Sequence, residues 1–170
     1  MYVLKLISEM FRNLKRMIRT TYVLSKCGDY GELIKVNGPT RLTKNTYLGT
    51  NIHFNGLVIN GKGKVTIGNN FHSGPDCLLI TQYHNFNGEA LPYDNTYLIK
   101  DIEIGDNVWL GSRVIVLGGV KIGEGAIIQA GSCVVRDIPK YSVAGGHPAE
   151  VFKQRSIEHY IRLKAQNKFH

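Results

Sequence analysis

Six histidines are the side chains here that could move a proton near neutral pH, and three of them stand out by position. His84 lies in Thr81-Gln82-Tyr83-His84-Asn85, at the start of the polar, aromatic stretch Gln82–Thr96, which also holds Gly and Pro. An imidazole in that setting can accept a proton from an attacking hydroxyl, and it is equally compatible with plain solvation. His53 and His72 share its register and stand 19 residues apart, so the two can stack on one face. Other chemistries lack their residues. Cys27, Cys77 and Cys133 are odd in number and form no Cys-x-x-Cys pair, which predicts reduced thiols rather than disulfides or a zinc site. There is no Gly-x-Ser-x-Gly elbow. Gly61-Lys62-Gly63-Lys64 has neither the spacing nor the Ser/Thr of a phosphate-binding loop.

The surrounding pattern says what must hold these residues. Leu98, Ile104, Leu110, Val116, Ile122, Ile128 and Val134 recur every six residues. A second register two residues earlier runs Ile102, Val108, Val114, Val120, Ala126 and Ser132. Two inward side chains at i−2 and i obey the period of a short strand, and the intervening Gly, Asn and Asp supply the corners. One such unit cannot bury its own apolar side, so the units must stack into a solenoid. The period is also present in Val36, Leu42, Leu48 and Phe54, slips by one residue around Asn60–Gly63, resumes through Ile67, Ser73 and Leu79, and is broken by Gln82–Thr96. The expected organisation is an N-terminal amphipathic helix and connector over 1–32, a β-solenoid over 33–149 with a projecting loop at 82–97, and a C-terminal helix over 150–170.

The ends differ from the middle. Of the net charge of +8, residues 1–26 hold +5, residues 150–170 hold +3, and 27–149 are neutral. A nucleic-acid footprint would lie along the binding face, so none is expected. Leu4, Ile7, Phe11, Leu14 and Ile18 follow a helical period among basic residues. This helix either caps the solenoid with its apolar side or lies on an anionic membrane. The C-terminal segment offers Val151, Ile157, Tyr160, Ile161 and Leu163 for packing. No signal peptide or membrane span is apparent, which predicts a cytoplasmic protein.

Three segments resemble a known family: IGNNFHSG (67–74), IEIGDNVWLGSRVIVLGGVKIGEGAIIQAGSCVVRDIP (102–139) and VAGGHPAEVFK (143–153). They are similar to hexapeptide-repeat acyltransferases, in particular to the galactoside and maltose O-acetyltransferase group and its relatives in surface-polysaccharide biosynthesis. The resemblance implies an all-β left-handed parallel β-helix, a homotrimer, and acetyl-CoA bound between neighbouring subunits. It implies direct acetyl transfer to a sugar hydroxyl, with His84 as general base. Ser112 would present its main-chain N–H to the oxyanion, and Trp109 would line the acyl site or, alternatively, pack between subunits. Ser112, Ala130, Arg136, Pro148 and Lys153 would hold coenzyme A. His53, Tyr83 and Asn85 are acceptor-side candidates. No metal is expected, because the carbonic-anhydrase-like β-helices use a close histidine pair at a five-residue offset that is absent here. His147 replaces the small residue common in the terminal turn, which suggests a structural role.

Two departures concern the acceptor. Residues 1–32 lack the acceptor-side pattern of the maltose-type enzymes, and Gly61-Lys62-Gly63-Lys64 stands where those enzymes place an acid. N-acetylation of a nucleotide-linked aminosugar is therefore the nearest alternative activity. A metal-dependent or purely scaffolding β-helix is the alternative from another class.

Overall fold

The computed structural model describes residues 2–170; Met1, the first residue of the expected N-terminal segment, lies outside them. The chain winds into a parallel β-helix with three faces. The first face stacks Asp29–Tyr30, Thr46–Leu48, Val65–Ile67, Ile102–Ile104 and Lys121–Ile122. The second stacks Lys35–Val36, His53–Phe54, His72–Ser73, Trp109–Leu110, Ile127–Ile128 and Ser142–Gly146, six parallel strands for six turns. The third stacks Thr40–Arg41, Leu57–Asn60, Cys77–Ile80, Ile115–Leu117 and Cys133–Val134.

The hexad registers fill the interior. Ile104, Leu110, Val116, Ile122, Ile128 and Val134 are buried, and so are Ile102, Val108, Val114, Val120, Ala126 and Ser132. Full burial of each Val, Leu or Ile is worth about 1.5–3 kcal/mol of transfer, so the stack, not any one strand, stabilises the fold. Leu98 is the exception. It is only half-buried and belongs to Tyr97–Ile99, which pairs antiparallel with Gln82–His84 in a two-stranded hairpin outside the helix.

The one-residue slip has two parts. Phe54 to Ile59 is a five-residue step between inward positions, and Ile59 to Ile67 is an eight-residue step. The corner at Asn55-Gly56 has thus lost one residue and the corner at Gly61–Lys64 has gained two. Strand pairings record both, moving from Thr40↔Leu57 to Thr46↔Val65 to Leu57↔Cys77.

Helix α1 (Tyr2–Leu24) is longer than the apolar spacing predicted, and it does not lay its apolar side on the solenoid. Leu4, Ile7, Phe11, Leu14 and Ile18 are all exposed. Only its C-terminal end docks, through buried Val23, through Thr20 Oγ1 accepting from Val36 N (3.1 Å), and through Arg19 donating to Asn37 O (2.7 Å). The capping alternative fails because the solenoid's end offers a contact only about one helical turn deep.

The C-terminal segment also differs from the expected helix over 150–170. Ala149–Gln154 is a strand that pairs antiparallel with Ser142–Gly146, and the helix α2 is confined to Ile157–Ala165. Ser156 caps it, its side chain accepting from His159 N. Of the five expected packing residues only Tyr160 is buried; Leu163 is partly covered, and Val151, Ile157 and Ile161 are exposed. Among the described residues no helix is long and apolar enough to cross a membrane.

Candidate active site

Each turn changes direction at three corners, and the candidate residues fall on different ones. At the second corner, between the second and third faces, Ser112 and Ala130 occupy equivalent positions one turn apart, following Leu110 and Ile128. Gly111 N donates to Ile128 O (2.8 Å), and Gly131 N to Ser112 O (2.8 Å). The N–H groups of Ser112 and Ala130 themselves pair with no acceptor among the described residues. The turn before places Pro75 there, which has no N–H to offer, so the corner does not need this donor in order to fold. Two main-chain amides one turn apart are therefore left without an acceptor at a corner where Ala130 is exposed. Nothing lies within 4 Å of a Cβ built on the adjoining Gly131.

His84 projects from the third corner, between the third face and the next turn's first face. Its hairpin is anchored by Thr81, a buried hydroxyl that donates to Asn60 O (2.9 Å) and accepts from Gly63 N (3.1 Å). Three residues further, His84 pairs with Tyr97, its ring stacked on Tyr93 (centroids 3.9 Å, 18°) and tilted against Tyr97 (4.6 Å). The two phenol rings fix the imidazole plane and leave Nδ1 enclosed without a partner. No carboxylate bonds to His84 among the described residues. Asp94, an acid of the same loop, is spent on it, accepting from Thr96 N (2.8 Å), Thr96 Oγ1 (2.5 Å) and Glu89 N (3.1 Å). The Thr96 hydroxyl and main-chain bonds hold its carboxyl below the usual range.

The acceptor-side candidates separate. Tyr83 stands on the hairpin with the Lys100 ammonium 5.9 Å from its ring centre. Asn85 is consumed structurally, donating to Thr96 Oγ1 (3.1 Å) and accepting from Asn87 N (3.1 Å). His53 is not with them. It lies on the second face and is only 6% exposed, covered by His72 (ring centroids 4.2 Å) and His170 (5.7 Å). The surface position its register suggests is closed by the folded-back C-terminal tail. Burial, then His72, Lys35, His170 and Arg16, push its imidazole down to about 4; burial likewise lowers His72.

Trp109 is outward-facing and 55% exposed, paired in register with His72 and Ile127. It lines a cavity of about 400 Å³ between the second face and α2, with His72, Tyr160, Lys168 and His170 on its other walls. Arg136 is exposed and 3.3 Å from Glu150. Pro148 and His147 are exposed in the turn between Ser142–Gly146 and Ala149–Gln154, and Lys153 is exposed on the second of these strands, paired with Val143. One chain thus brings Ser112 and Ala130 together at one corner and leaves His84 at another.

None of the candidate residues lies at the first corner, between the first and second faces. Asn51, Asn70 and Asn107 each adopt positive φ there, and their amides form a ladder: Asn51 Nδ2 to Asn70 Oδ1 (2.9 Å), then Asn70 Nδ2 to Asn107 Oδ1 (3.0 Å). Asn107 Nδ2 donates to Tyr160 OH (2.6 Å), and Tyr160 OH to Glu124 Oε1 (2.9 Å), where Lys164 also binds. The repeated turn asparagines were the available signal; the tyrosine that ends the ladder was not.

Residues 101–136 match the family model for bacterial transferase hexapeptide (six repeats). The galactoside O-acetyltransferase of Escherichia coli K12 is 38% identical over 111 residues, 65% of this chain and 54% of that protein. A galactoside acetyltransferase structure in complex with coenzyme A is 35% identical, with a TM-score of 0.64, covering 75% of this chain and 64% of that one. A maltose O-acetyltransferase from Clostridium difficile 630 is 28% identical, with a TM-score of 0.67, over 78% and 72%. The chain spans about half the length of the curated relatives it matches.

Proposed function

From a chain that carries the hexapeptide repeats of bacterial transferases and is similar to galactoside and maltose O-acetyltransferases, we propose an acetyl-CoA-dependent acetyltransferase acting on a sugar hydroxyl. The observation that carries this reading is the pair of unpaired amides at Ser112 and Ala130, stacked on an open corner. The Ala130 N–H suits an amide carbonyl of the pantetheine arm, and its small side chain permits close approach. Ser112 N–H meets the oxygen on which charge develops, the electrostatic term that dominates many acyl transfers. Arg136 and Lys153 supply cations for the nucleotide phosphates, with Pro148 in the adjoining turn.

His84 takes the acceptor hydroxyl proton as that oxygen bonds to the thioester carbonyl carbon; the carbon–sulfur bond then breaks and the coenzyme thiolate is protonated by the imidazolium. No covalent enzyme intermediate is formed, so rate depends on both substrates being held in line. Because His84 and Ser112 lie on different corners, we place the working site between neighbouring copies, one giving the hairpin and the next the amide column, in a closed homotrimer. Tyr83 faces the acceptor in this arrangement, and Trp109 walls the adjoining cavity. Asn85 acts indirectly, by shaping the loop.

The same reading places the enzyme in the cytoplasm, in agreement with three free cysteines, and in surface-polysaccharide assembly. The exposed apolar stripe of α1, flanked by Lys5, Arg12, Lys15 and Arg19, would rest on an anionic membrane near lipid-linked sugars. Loss of liposome binding on deleting residues 1–20 supports that contact; unchanged binding ends it.

The deciding experiment is thiol release from acetyl-CoA over a panel of sugars and aminosugars, with NMR location of the acetyl group. His84→Ala is expected to lose roughly 10²–10⁴-fold in kcat, the usual yield of a positioned base, without loss of coenzyme A affinity. Near wild-type turnover in that variant overturns the assignment. Acetylation confined to amino groups selects the N-acetyltransferase alternative.

A further inference from the structure

The second face holds a group of side chains the proposed transfer does not use. His53 and His72 come from successive turns, and parallel pairing of their strands fixes them side by side. His170 arrives from the C-terminal tail, its rings-to-rings distances 5.7 Å to His53 and 5.1 Å to His72, edge-on to both. Its main-chain carbonyl accepts from Asn51 Nδ2 (3.0 Å), which seats the tail on the first-corner ladder. One ring nitrogen from each histidine lies within 4.8 Å of the other two.

We propose that His53, His72 and His170 form a three-histidine site for a divalent transition metal of the zinc class, which fastens the C-terminal tail across the second face. Nε2 of His53 and Nε2 of His72 are both enclosed and have no hydrogen-bond partner among the described residues. Buried polar nitrogens without partners are uncommon and costly, and a shared ligand satisfies both. Tetrahedral coordination at 2.0–2.1 Å requires nitrogens about 3.3 Å apart, so the three must close by no more than about 1.5 Å. His170 is the exposed member, so it can supply most of that movement.

An all-imidazole set favours Zn²⁺, Cu²⁺, Ni²⁺ or Co²⁺ over the oxygen-seeking Mg²⁺ and Ca²⁺. Lys35, paired with His53 in the sheet, and Arg16 oppose the ion and limit its affinity. The cavity beside His72 and His170 leaves room for a fourth ligand.

The test uses the whole chain stripped of metal, titrated with Zn²⁺ by calorimetry and with Co²⁺ by visible absorption. One ion per chain is expected, with the intense visible bands of four-coordinate cobalt. His72→Ala and His170→Ala should each weaken binding at least about tenfold, and Lys35→Gln should tighten it. His170→Ala removes an exposed side chain, so it remains informative if substitution of buried His53 prevents folding. Zinc should also slow proteolysis of the tail in the wild type and not in His170→Ala. Absence of binding, or binding indifferent to both His72→Ala and His170→Ala, overturns the proposal. None of these readouts involves acetyl transfer, so failure of one reading leaves the other standing.

Discussion

The first and second corners of this β-helix each recur once per turn, yet they treat main-chain and side-chain polar groups differently. At the first corner, left-handed residues recur in every turn, at Leu33, Asn51, Asn70, Asn107, Gly125 and Tyr141. Asparagine tolerates that conformation, and here its amide also bonds the turn above. Donors and acceptors run from Asn51 to Glu124, and where Gly125 takes the asparagine's place, Tyr160 covers it, its ring 2.9–3.1 Å from where a Cβ would sit. Arg155 closes the top, donating to Gly125 O (3.1 Å) with its guanidinium 5.0 Å from the Tyr160 ring centre. At the second corner the Ser112 and Ala130 amides have no acceptor among the described residues. A corner that satisfies itself stabilises the fold. A corner that does not is available to a ligand.

The largest expected effect breaks this contrast from the open side. Ala130→Leu places a branched side chain where the proposed function puts the pantetheine arm, and it is expected to weaken coenzyme A binding by about 100-fold, equivalent to about 2.7 kcal/mol. Ala130 is exposed, so unfolding stability should stay within about ±0.5 kcal/mol of wild type. Calorimetric titration with coenzyme A and a denaturant melt measure the two quantities. A variant that loses stability and keeps affinity would assign this corner to structure.

What was legible in the sequence follows the same divide. The hexads from Ile104 to Val134 are visible because the interior of each turn dictates aliphatic residues at fixed intervals. Leu98 extends that series by coincidence of spacing; Tyr83 and Ile99 neighbours draw it into an antiparallel hairpin, a tertiary event no period records. The break at Gln82–Thr96 was readable, but its pairing and the stacking of His84 on Tyr93 were not. Ala149–Gln154 was misread because an antiparallel return strand carries no repeat, and its helix-like spacing continued into α2. The three-histidine group needs His170 to fold back onto a strand near residue 53, and nothing in local sequence announces such a contact. Ser112 and Ala130 were reached through family resemblance, whereas their unpaired amides came only from the geometry.

The second prediction breaks the closed corner. Asn107→Ala deletes the bonds to Asn70 and Tyr160, at about 1 kcal/mol each, and puts alanine at φ 58°, at about another 1–2 kcal/mol. A total of about 3 kcal/mol should lower Tm by roughly 6–12 °C for a domain of this size. Asn107→Gly relieves the backbone part and should recover about 1 kcal/mol of it. Coenzyme A affinity should be unchanged in both. If the alanine variant melts like the wild type, the ladder is ornament and the two corners do not differ energetically.

The smallest effect sharpens the comparison at the ladder's end. Burial raises the pKa of Glu124, but hydrogen bonds from Lys164 and Tyr160 outweigh it, so the carboxyl titrates below its ordinary range. A carboxylate depressed in the folded state stabilises the protein above its unfolded pKa, and that contribution is lost as pH falls through the lower folded value. Glu124→Gln should therefore cost about 1 kcal/mol at pH 7, and the gap from wild type should shrink steadily below about pH 4.5. Buried His53 also destabilises the protein in acid, because its imidazole is neutral when folded and protonates on unfolding below the usual histidine range. That loss is common to both proteins and cancels in the difference. Urea melts of the pair from pH 7 to pH 3 measure it directly, and a gap independent of pH would mean that Tyr160, not the charge on Glu124, closes the corner.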